Sequence, residues 1–253
     1  MASNFLCLGG LCVVIGLGLL YAGIQKYLLV QKITDTPTSK VRSAAVGMVE
    51  LSGKAVCKEP QFSPLSNVKC IYWKMNAEWF QPGRNGGWRM ISSDSSHKDF
   101  DIEDDTGKML VDPTGATIEI PVDFSSMGYL RDRGFLGIVS QRQLDPKVLA
   151  YLESNPDAKA RVYRFSGYEL KFTEWYIAEG DPLFVLGTAD LQEGVSSSVG
   201  SENLIVRQGK YDKVFYISDT GERKVVDTIR NSMYWYIGIG FVLAAAGAYA
   251  LIA

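Results

Sequence analysis

The chain has 253 residues, a formal net charge of −2 and a sequence pI near 5.6. Domains that bind nucleic acid normally carry a basic face, so this charge balance argues against nucleic acid as a partner. Four cysteines are too few for a disulfide-stapled scaffold of this length.

The first element is an apolar run, Phe5–Ile24, which contains no charged residue. A membrane-spanning helix needs about 20 apolar residues, so we predict a first transmembrane helix over residues 5–30. A cleaved signal peptide is the alternative, but Met1–Asn4 carries no lysine or arginine, which favours an uncleaved anchor. Ile33–Lys40 is polar and contains a proline, and we expect it to lead the chain into a separate domain.

Alternating and β-branched segments then predict strands in the first half of the domain. Ala44–Cys57 alternates and predicts one strand, and a loop follows it at 58–67. Val68–Phe80 and Trp88–Ile91 flank a glycine-rich turn and predict a hairpin. Asp99–Ile120 contains two Asp- and Gly-containing turn sequences, which predict three short strands in a meander.

The second half of the domain contains one predicted surface helix and further strands. Asp145–Asn155 has proline in its first turn and Asn-Pro at its end, which predicts a short helix. Strands are predicted within Arg161–Ala178 and Leu183–Ala189, a flexible loop at Gly194–Ser201, and a last hairpin from Leu204–Val206 and Val214–Ser218.

A second apolar run, Met233–Ala253, also lacks charged residues and predicts a transmembrane helix over residues 233–253. Asp219 and Glu222 have the spacing of a capping box, which predicts a coupling helix over 219–232 that continues into this run. The predicted fold class is therefore an integral membrane protein. Its two transmembrane helices enclose one β-rich domain with minor α structure at 33–232.

Two further patterns concern the membrane. Glycines recur every seven residues in both apolar runs, namely at Gly9, Gly16, Gly23, Gly240 and Gly247. They would give each helix a smooth face for helix–helix pairing, although glycine is also simply common in membrane helices. Basic residues cluster on the domain side of both runs, which favours a cytoplasmic domain in a multi-pass cell-membrane protein: Lys26, Lys32, Lys40, Arg42, Arg223, Lys224 and Arg230.

No catalytic, cofactor-binding or metal-binding residues are predicted. His97 is the single histidine, and it lies in a polar segment without a G-x-S-x-G sequence, so we interpret it as a solvated loop residue. The acidic run Asp99–Asp105 lacks the glycine and glutamate of a calcium loop and is interpreted as a solvated strand face. Cys57 and Cys70 could form a disulfide outside the cell, and we expect reduced, buried thiols in the cytoplasm.

Four sequence blocks occur in order between the apolar runs, namely PTSKVRSAAVGMVELSGKA (Pro37–Ala55), SPLSNVKCIYW (Ser63–Trp73), FDIEDDTGKMLVDPTGA (Phe100–Ala116) and EWYIAEGDPLFVLGTA (Glu174–Ala189). In this order they resemble the GIDE family, prokaryotic relatives of the mitochondrial outer-membrane ubiquitin ligases MULAN and MAPL. The resemblance implies a domain held between two membrane helices. In the eukaryotic relatives this domain faces the intermembrane space, so the side of the membrane stays open.

The eukaryotic relatives carry a RING finger after the second helix, and its two tetrahedral zinc sites need four ligands each. This sequence has four cysteines, one histidine and no C-x₂-C pair, so we expect the RING to be absent. The first functional hypothesis is therefore a membrane-anchored binding or scaffold domain that recognises a protein, a lipid or a small ligand without catalysis of its own. The alternative is an E3-ligase-like component that acts with a separate RING protein or conjugating enzyme, and a third, weaker hypothesis is a hydrolase using Asp101 and Asp105.

Overall fold

The structure is a computed structural model that describes residues 2–59, 61–96, 98–130, 142–192 and 203–252. Its elements in chain order are α1 (Ala2–Asp35), β1 (Thr38–Ser39), a 3₁₀ turn (Val41–Ser43), β2 (Gly47–Val56), β3 (Gln61–Phe62), β4 (Lys69–Gln81), β5 (Gly87–Ser95), β6 (Phe100–Glu103), β7 (Lys108–Val111), β8 (Thr117–Glu119), β9 (Phe124–Gly128), α2 (Pro146–Ser154), α3 (Pro156–Tyr163), β10 (Leu170–Ala178), β11 (Pro182–Leu191), β12 (Leu204–Arg207), β13 (Tyr216–Ser218) and α4 (Glu222–Ile252). Two long apolar helices thus flank a β-rich domain, as the sequence predicts.

The two long helices, α1 and α4, lie antiparallel and in contact. Gly16 faces Gly240 and Ala244, and Gly9 faces Gly247. A Cβ atom added at Gly16 would lie 2.5 Å from the backbone N of Ala244, so only a glycine allows the two backbones to approach this closely. By length and composition, Gly9–Asp35 and Glu222–Leu251 could each cross a membrane.

Five strands form a closed ring, in which β2 pairs with β6, β6 with β7, β7 with β12, β12 with β11, and β11 again with β2. Side chains alternate across these strands, so that Phe100 and Ile102 of β6 are buried while Asp101 and Glu103 face outward, as predicted. The strands β13 and β8 extend the same sheet beyond β11. The ring interior is the core of this barrel, with the side chains of Leu51, Met109, Val111, Val185 and Val206 fully or almost fully buried.

A second sheet has the order β3-β4-β10-β9, with β5 paired to β4. The helices α2 and α3 cover one face of this sheet, where Met75, Phe172, Val148 and Leu152 are buried together. The predicted hairpin β4–β5 and the predicted helix α2 are both present. The side chain of Asp145 caps α2 by accepting a 2.9 Å hydrogen bond from the backbone N of Lys147.

The two long helices contact the domain through a junction cluster, defined as the buried side chains of Ile33, Phe184, Leu186, Val225, Val226 and Ile229. These residues come from the last turns of α1, the strand β11 and the first turns of α4. Burying one such aliphatic side chain stabilises a fold by about 1.5–3 kcal/mol. The helices are therefore packed against the barrel and are not joined to it by a linker alone.

Several sequence predictions were wrong in their long-range pairing. The third strand of the predicted meander, β8, pairs in parallel with β13 and not with β7. The predicted last hairpin does not form, because β12 and β13 both pair with successive parts of β11. The predicted loop at 58–67 contains the short strand β3, which pairs with β4.

The helical segments also differ from the predictions. Ile33–Lys40 begins with the last turn of α1, because Ile33 is held in the junction cluster. The start of the predicted strand at Arg161 belongs to α3, whose N-cap is the side chain of Asn155. The helix α4 begins at Glu222, after Gly221 with φ +81°, so Asp219 lies too far upstream to cap it. The predicted loop Gly194–Ser201 lies outside the described residues.

Candidate functional site

A polar cleft of about 790 Å³ lies where the end of β2 meets the β6–β7 turn and the β10–β11 turn. The backbone amide of Gly180 donates a 2.8 Å hydrogen bond to the carbonyl of Ala55, and the amide of Ala55 donates to the carbonyl of Asp181. These bonds fix the β10–β11 turn against β2. The cleft is lined by Lys40, Ser52, Gly53, Lys54, Glu103, Asp104, Asp105, Gly180 and Pro182.

Asp104 fixes one wall of the cleft. Its carboxylate accepts hydrogen bonds from the backbone amides of Thr106 at 2.7 Å, Gly107 at 3.1 Å and Val41 at 3.0 Å. Burial alone would raise the pKa of Asp104, but a 2.6 Å hydrogen bond from the hydroxyl of Thr106, together with those from the three amides, outweighs burial and lowers the pKa. An ionised carboxylate therefore ties the β6–β7 turn to the segment that follows α1.

Charges of both signs surround the cleft. Lys40 forms an ion pair with Asp105, and Lys54 is exposed at the rim, opposite Glu103 on the neighbouring strand. The floor is backbone, since a side chain on Gly53 would collide with the carbonyl of Glu103. Neither a histidine nor a cysteine is among the lining residues of this cleft. Such a surface offers hydrogen bonds and charge contacts to a polar polypeptide or ligand.

A buried carboxylate on β10 holds a second loop in place. Glu174 is fully buried, and its two oxygens accept hydrogen bonds from the amides of Leu65 at 2.6 Å and Ser66 at 2.9 Å. This contact joins the segment Ser63–Trp73 to the segment Glu174–Ala189. The carboxylate thus satisfies two backbone donors that would otherwise be buried without partners.

A family model, described as "GIDE: E3 Ubiquitin ligase", matches residues 76–251, which is more than half of the chain. This chain belongs to the GIDE family. Searches of curated proteins and of solved structures found no match. The match spans the β6–β7 turn, the β10–β11 turn and α4, so the GIDE region includes two walls of the cleft and one of the two long helices.

Glu50 is a buried carboxylate of the GIDE chain that the sequence analysis missed. It is 2% exposed on the face of β2 that carries Met48 toward the junction cluster. Oε1 accepts a 2.5 Å hydrogen bond from the hydroxyl of Thr38, whereas Oε2 has no partner among the described residues. Burial raises the pKa of Glu50, and the nearby carboxylate of Glu222 raises it further.

The alternation in Met48–Leu51 could have indicated that Glu50 points away from the barrel interior. The alternation does not show that two helices would cover this outer face. Glu50 was therefore not singled out from the sequence.

The residues singled out from the sequence are dispersed in the structure. The acidic run contributes Glu103, Asp104 and Asp105 to the cleft, and no group of three or more potential metal ligands occurs within the described ranges. Cys57 and Cys70 are free thiols, with Cys57 half-buried and Cys70 buried. Burial raises the pKa of Cys70 to about 12. His97 lies outside the described residues.

Proposed function

We propose that this GIDE chain is a membrane-anchored scaffold whose β-rich domain binds a partner protein through the polar cleft and has no catalysis of its own. The observation that carries the proposal is the continuity of α4. This helix runs unbroken from the junction cluster at Val225 into an apolar segment long enough to span a bilayer. A domain packed onto its own anchors is held near the membrane surface, which raises its effective concentration for other membrane-bound proteins.

In this proposal α1 and α4 both span the cell membrane, in contact with its lipids, and the domain is cytoplasmic. The basic residues beside both apolar segments support the cytoplasmic side. The ammonium group of Lys26 lies 5.4 Å from the ring centroid of Tyr236, near the end of the first apolar segment and the start of the second. Lysine and tyrosine are typical of the boundary between membrane and water.

The chemistry of the cleft supports binding over catalysis. Its groups are lysines, carboxylates, one serine and glycine backbone, and Asp104 is already occupied by three backbone amides. A nucleophile activated by a neighbouring base is absent from the lining residues. The 253 residues contain four cysteines and one histidine, fewer than two tetrahedral zinc sites require.

Photocrosslinking from the cleft tests the proposal. A benzophenone amino acid is placed at Lys54 on the rim, and at Lys147 on α2 as a matched exposed control. In native membranes we expect a discrete adduct with a second protein from position 54 and none from position 147. The same adducts from both positions would contradict binding through the cleft.

A second candidate is an E3-ligase component that acts with a separate RING protein or conjugating enzyme. The description of the GIDE family as an E3 ubiquitin ligase favours this candidate. It is tested by a reconstituted ubiquitin conjugation reaction with activating enzyme, conjugating enzyme and RING protein, with and without the full chain in liposomes. Substrate modification that depends on the chain would establish the ligase role, and equal modification in both reactions would reject it.

A further inference from the structure

The strand β5, Gly87–Ser95, lies at an edge of the second sheet. Its inner edge pairs with β4 over eight residue pairs, and no strand within the described ranges pairs with its outer edge. Exposed edges are templates for pairing with another strand, and proteins commonly protect them with proline, charged side chains or a bulge. β5 contains neither proline nor lysine, its charged residues are Arg89 and Asp94, it has one bulge at Ile91, and Met90 on this strand is 52% exposed.

The backbone groups that point outward from β5 follow from its pairing with β4. Directly opposite residues of an antiparallel pair alternate between bonded and non-bonded positions. The amide of Ser96 donates to the carbonyl of Trp73, so Asp94 and Ser92 also bond toward β4. Beyond a bulge at Ile91, the amide of Phe80 on β4 donates to Glu169 on the opposite side, so the preceding residue Trp79 and its partner Arg89 bond to each other. The amide and carbonyl groups of Ser93, Met90 and Trp88 therefore point away from the sheet.

This outward pattern is symmetric when the strand is reversed. The outward residues on the two sides of the bulge are Met90 and Ser93, and Ile91 and Ser92 lie between them. If a second β5 approaches antiparallel, Met90 meets Ser93 of the second copy and Ser93 meets Met90. The two bulges then lie opposite each other, so outward groups meet outward groups along the edge.

The same register also matches the charges. Arg89 and Asp94 lie on one face of the sheet, because they pair with Trp79 and Met75 on β4, four residues apart. In the reversed strand, Arg89 lies directly opposite Asp94 of the second copy, and the symmetric pair is formed at the same time. Arg89 is exposed, and its Nε donates a 3.0 Å hydrogen bond to Oε1 of Gln81. The side chain of Asp94 is 39% exposed and already lies 3.8 Å from the guanidinium of Arg161 on α3, so Arg89 of the second copy would be a second cation beside Asp94.

We propose that two copies of this chain form a symmetric dimer by antiparallel pairing of β5 with β5, with Met90 opposite Ser93 and Arg89 opposite Asp94. The joined strands extend the second sheet from one copy into the other. The occupant of the edge is therefore a second copy of the chain, and the register is fixed by the bulge and by the two Arg–Asp pairs.

A charge-swap series on the full chain in detergent tests the dimer. Arg89→Asp or Asp94→Arg alone places like charges opposite each other twice, which should raise the dissociation constant of the dimer by about tenfold. The double variant Arg89→Asp/Asp94→Arg restores both pairs and should restore dimerisation. A monomeric wild-type chain at micromolar concentrations, or a double variant no better than the single variants, would overturn the proposal.

Two further variants distinguish this edge from any other interface. Met90→Pro removes an outward-pointing amide and none of the amides that bond to β4, so it should abolish the dimer, while Met90→Ala keeps that amide and should retain it. Chains with Met90→Cys should form a disulfide with chains carrying Ser93→Cys, because directly opposite Cα atoms are about 5 Å apart. A dimer that survives Met90→Pro, or a crosslink formed equally well between two Met90→Cys chains, would show that β5 is not the interface.

Discussion

The contact between α1 and α4 at Gly16 yields a quantitative prediction. In the variant Gly16→Ala, the new Cβ would lie 2.5 Å from the N of Ala244 and 2.8 Å from the carbonyl O of Gly240. Ordinary contacts between such atoms need about 3.5–4.0 Å, so the helices must separate by about 1 Å at this point. Both opposing atoms belong to the backbone, and no side-chain rotation can relieve the contact.

Overpacking of a close-packed interior costs typically about 1–3 kcal/mol. Gly18 provides a matched control on the same helix, because a Cβ added there meets nothing within 4 Å. The change in helix propensity, up to about 1 kcal/mol in favour of alanine, is common to both variants and cancels in the comparison. We therefore expect Gly16→Ala to be about 1–3 kcal/mol less stable than Gly18→Ala.

The assay is unfolding of the full chain in mixed micelles by titration with sodium dodecyl sulfate, followed by far-ultraviolet circular dichroism. The free energies of unfolding of the two alanine variants are compared with that of the wild type. If Gly16→Ala and Gly18→Ala unfold at the same detergent fraction, the close approach of the two helices does not contribute to stability and the reasoning is refuted.

Three further predictions concern buried polar groups. Because the pKa of Glu50 is raised in the folded chain, its contribution to stability is present below its unfolded pKa and is lost as pH rises through the folded pKa. In urea unfolding between pH 4 and 8, the variant Glu50→Gln should therefore gain stability relative to the wild type as pH rises. A difference in stability that stays constant with pH would contradict this. Glu174→Ala leaves the amides of Leu65 and Ser66 without acceptors and should lower the free energy of unfolding by about 2–5 kcal/mol in the same assay. The control Glu153→Ala, on the surface of α2, should change it by less than about 0.5 kcal/mol. Equal effects of the two substitutions would reject the role of Glu174. On the purified chain in detergent, a maleimide should label Cys57 before Cys70, whose pKa is raised to about 12 by burial, and Cys57→Ser should remove the fast label. Fast labelling of Cys70 in the folded chain would be inconsistent with its burial.

Local sequence signals predicted those elements whose physics is local. The β4–β5 hairpin follows from two β-branched and aromatic runs on either side of a glycine-rich turn. Helix α2 follows from Asp145 as cap and Pro146 in the first turn. The outward carboxylates of β6 follow from strict alternation. In each case a few neighbouring residues determine the outcome.

Elements that depend on distant partners were not predictable in the same way. β8 has turn sequences on its N-terminal side that suggest a meander, yet its partner β13 is about a hundred residues away in sequence. β12 and β13 are close enough in sequence for a hairpin, but both pair with β11, which offers a longer strand. Pairing of this kind depends on the whole barrel and not on the intervening turn.

The candidate site shows the same division. The acidic residues of the β6–β7 turn attract notice in the sequence, but their contact with Val41 joins segments more than sixty residues apart. Glu50 and Glu174 look like ordinary strand carboxylates in the sequence. Their burial becomes evident only when the long helices cover β2 and the Ser63–Asn67 loop covers β10.

Extraction of native membranes with alkaline carbonate tests the central claim most directly, because it releases peripheral proteins and leaves membrane-spanning helices in the bilayer. A chain anchored through α1 and α4 should remain wholly in the membrane pellet. Recovery of the intact chain in the carbonate supernatant would contradict the account, since the apolar surfaces of both helices would then have to be covered by something other than lipid.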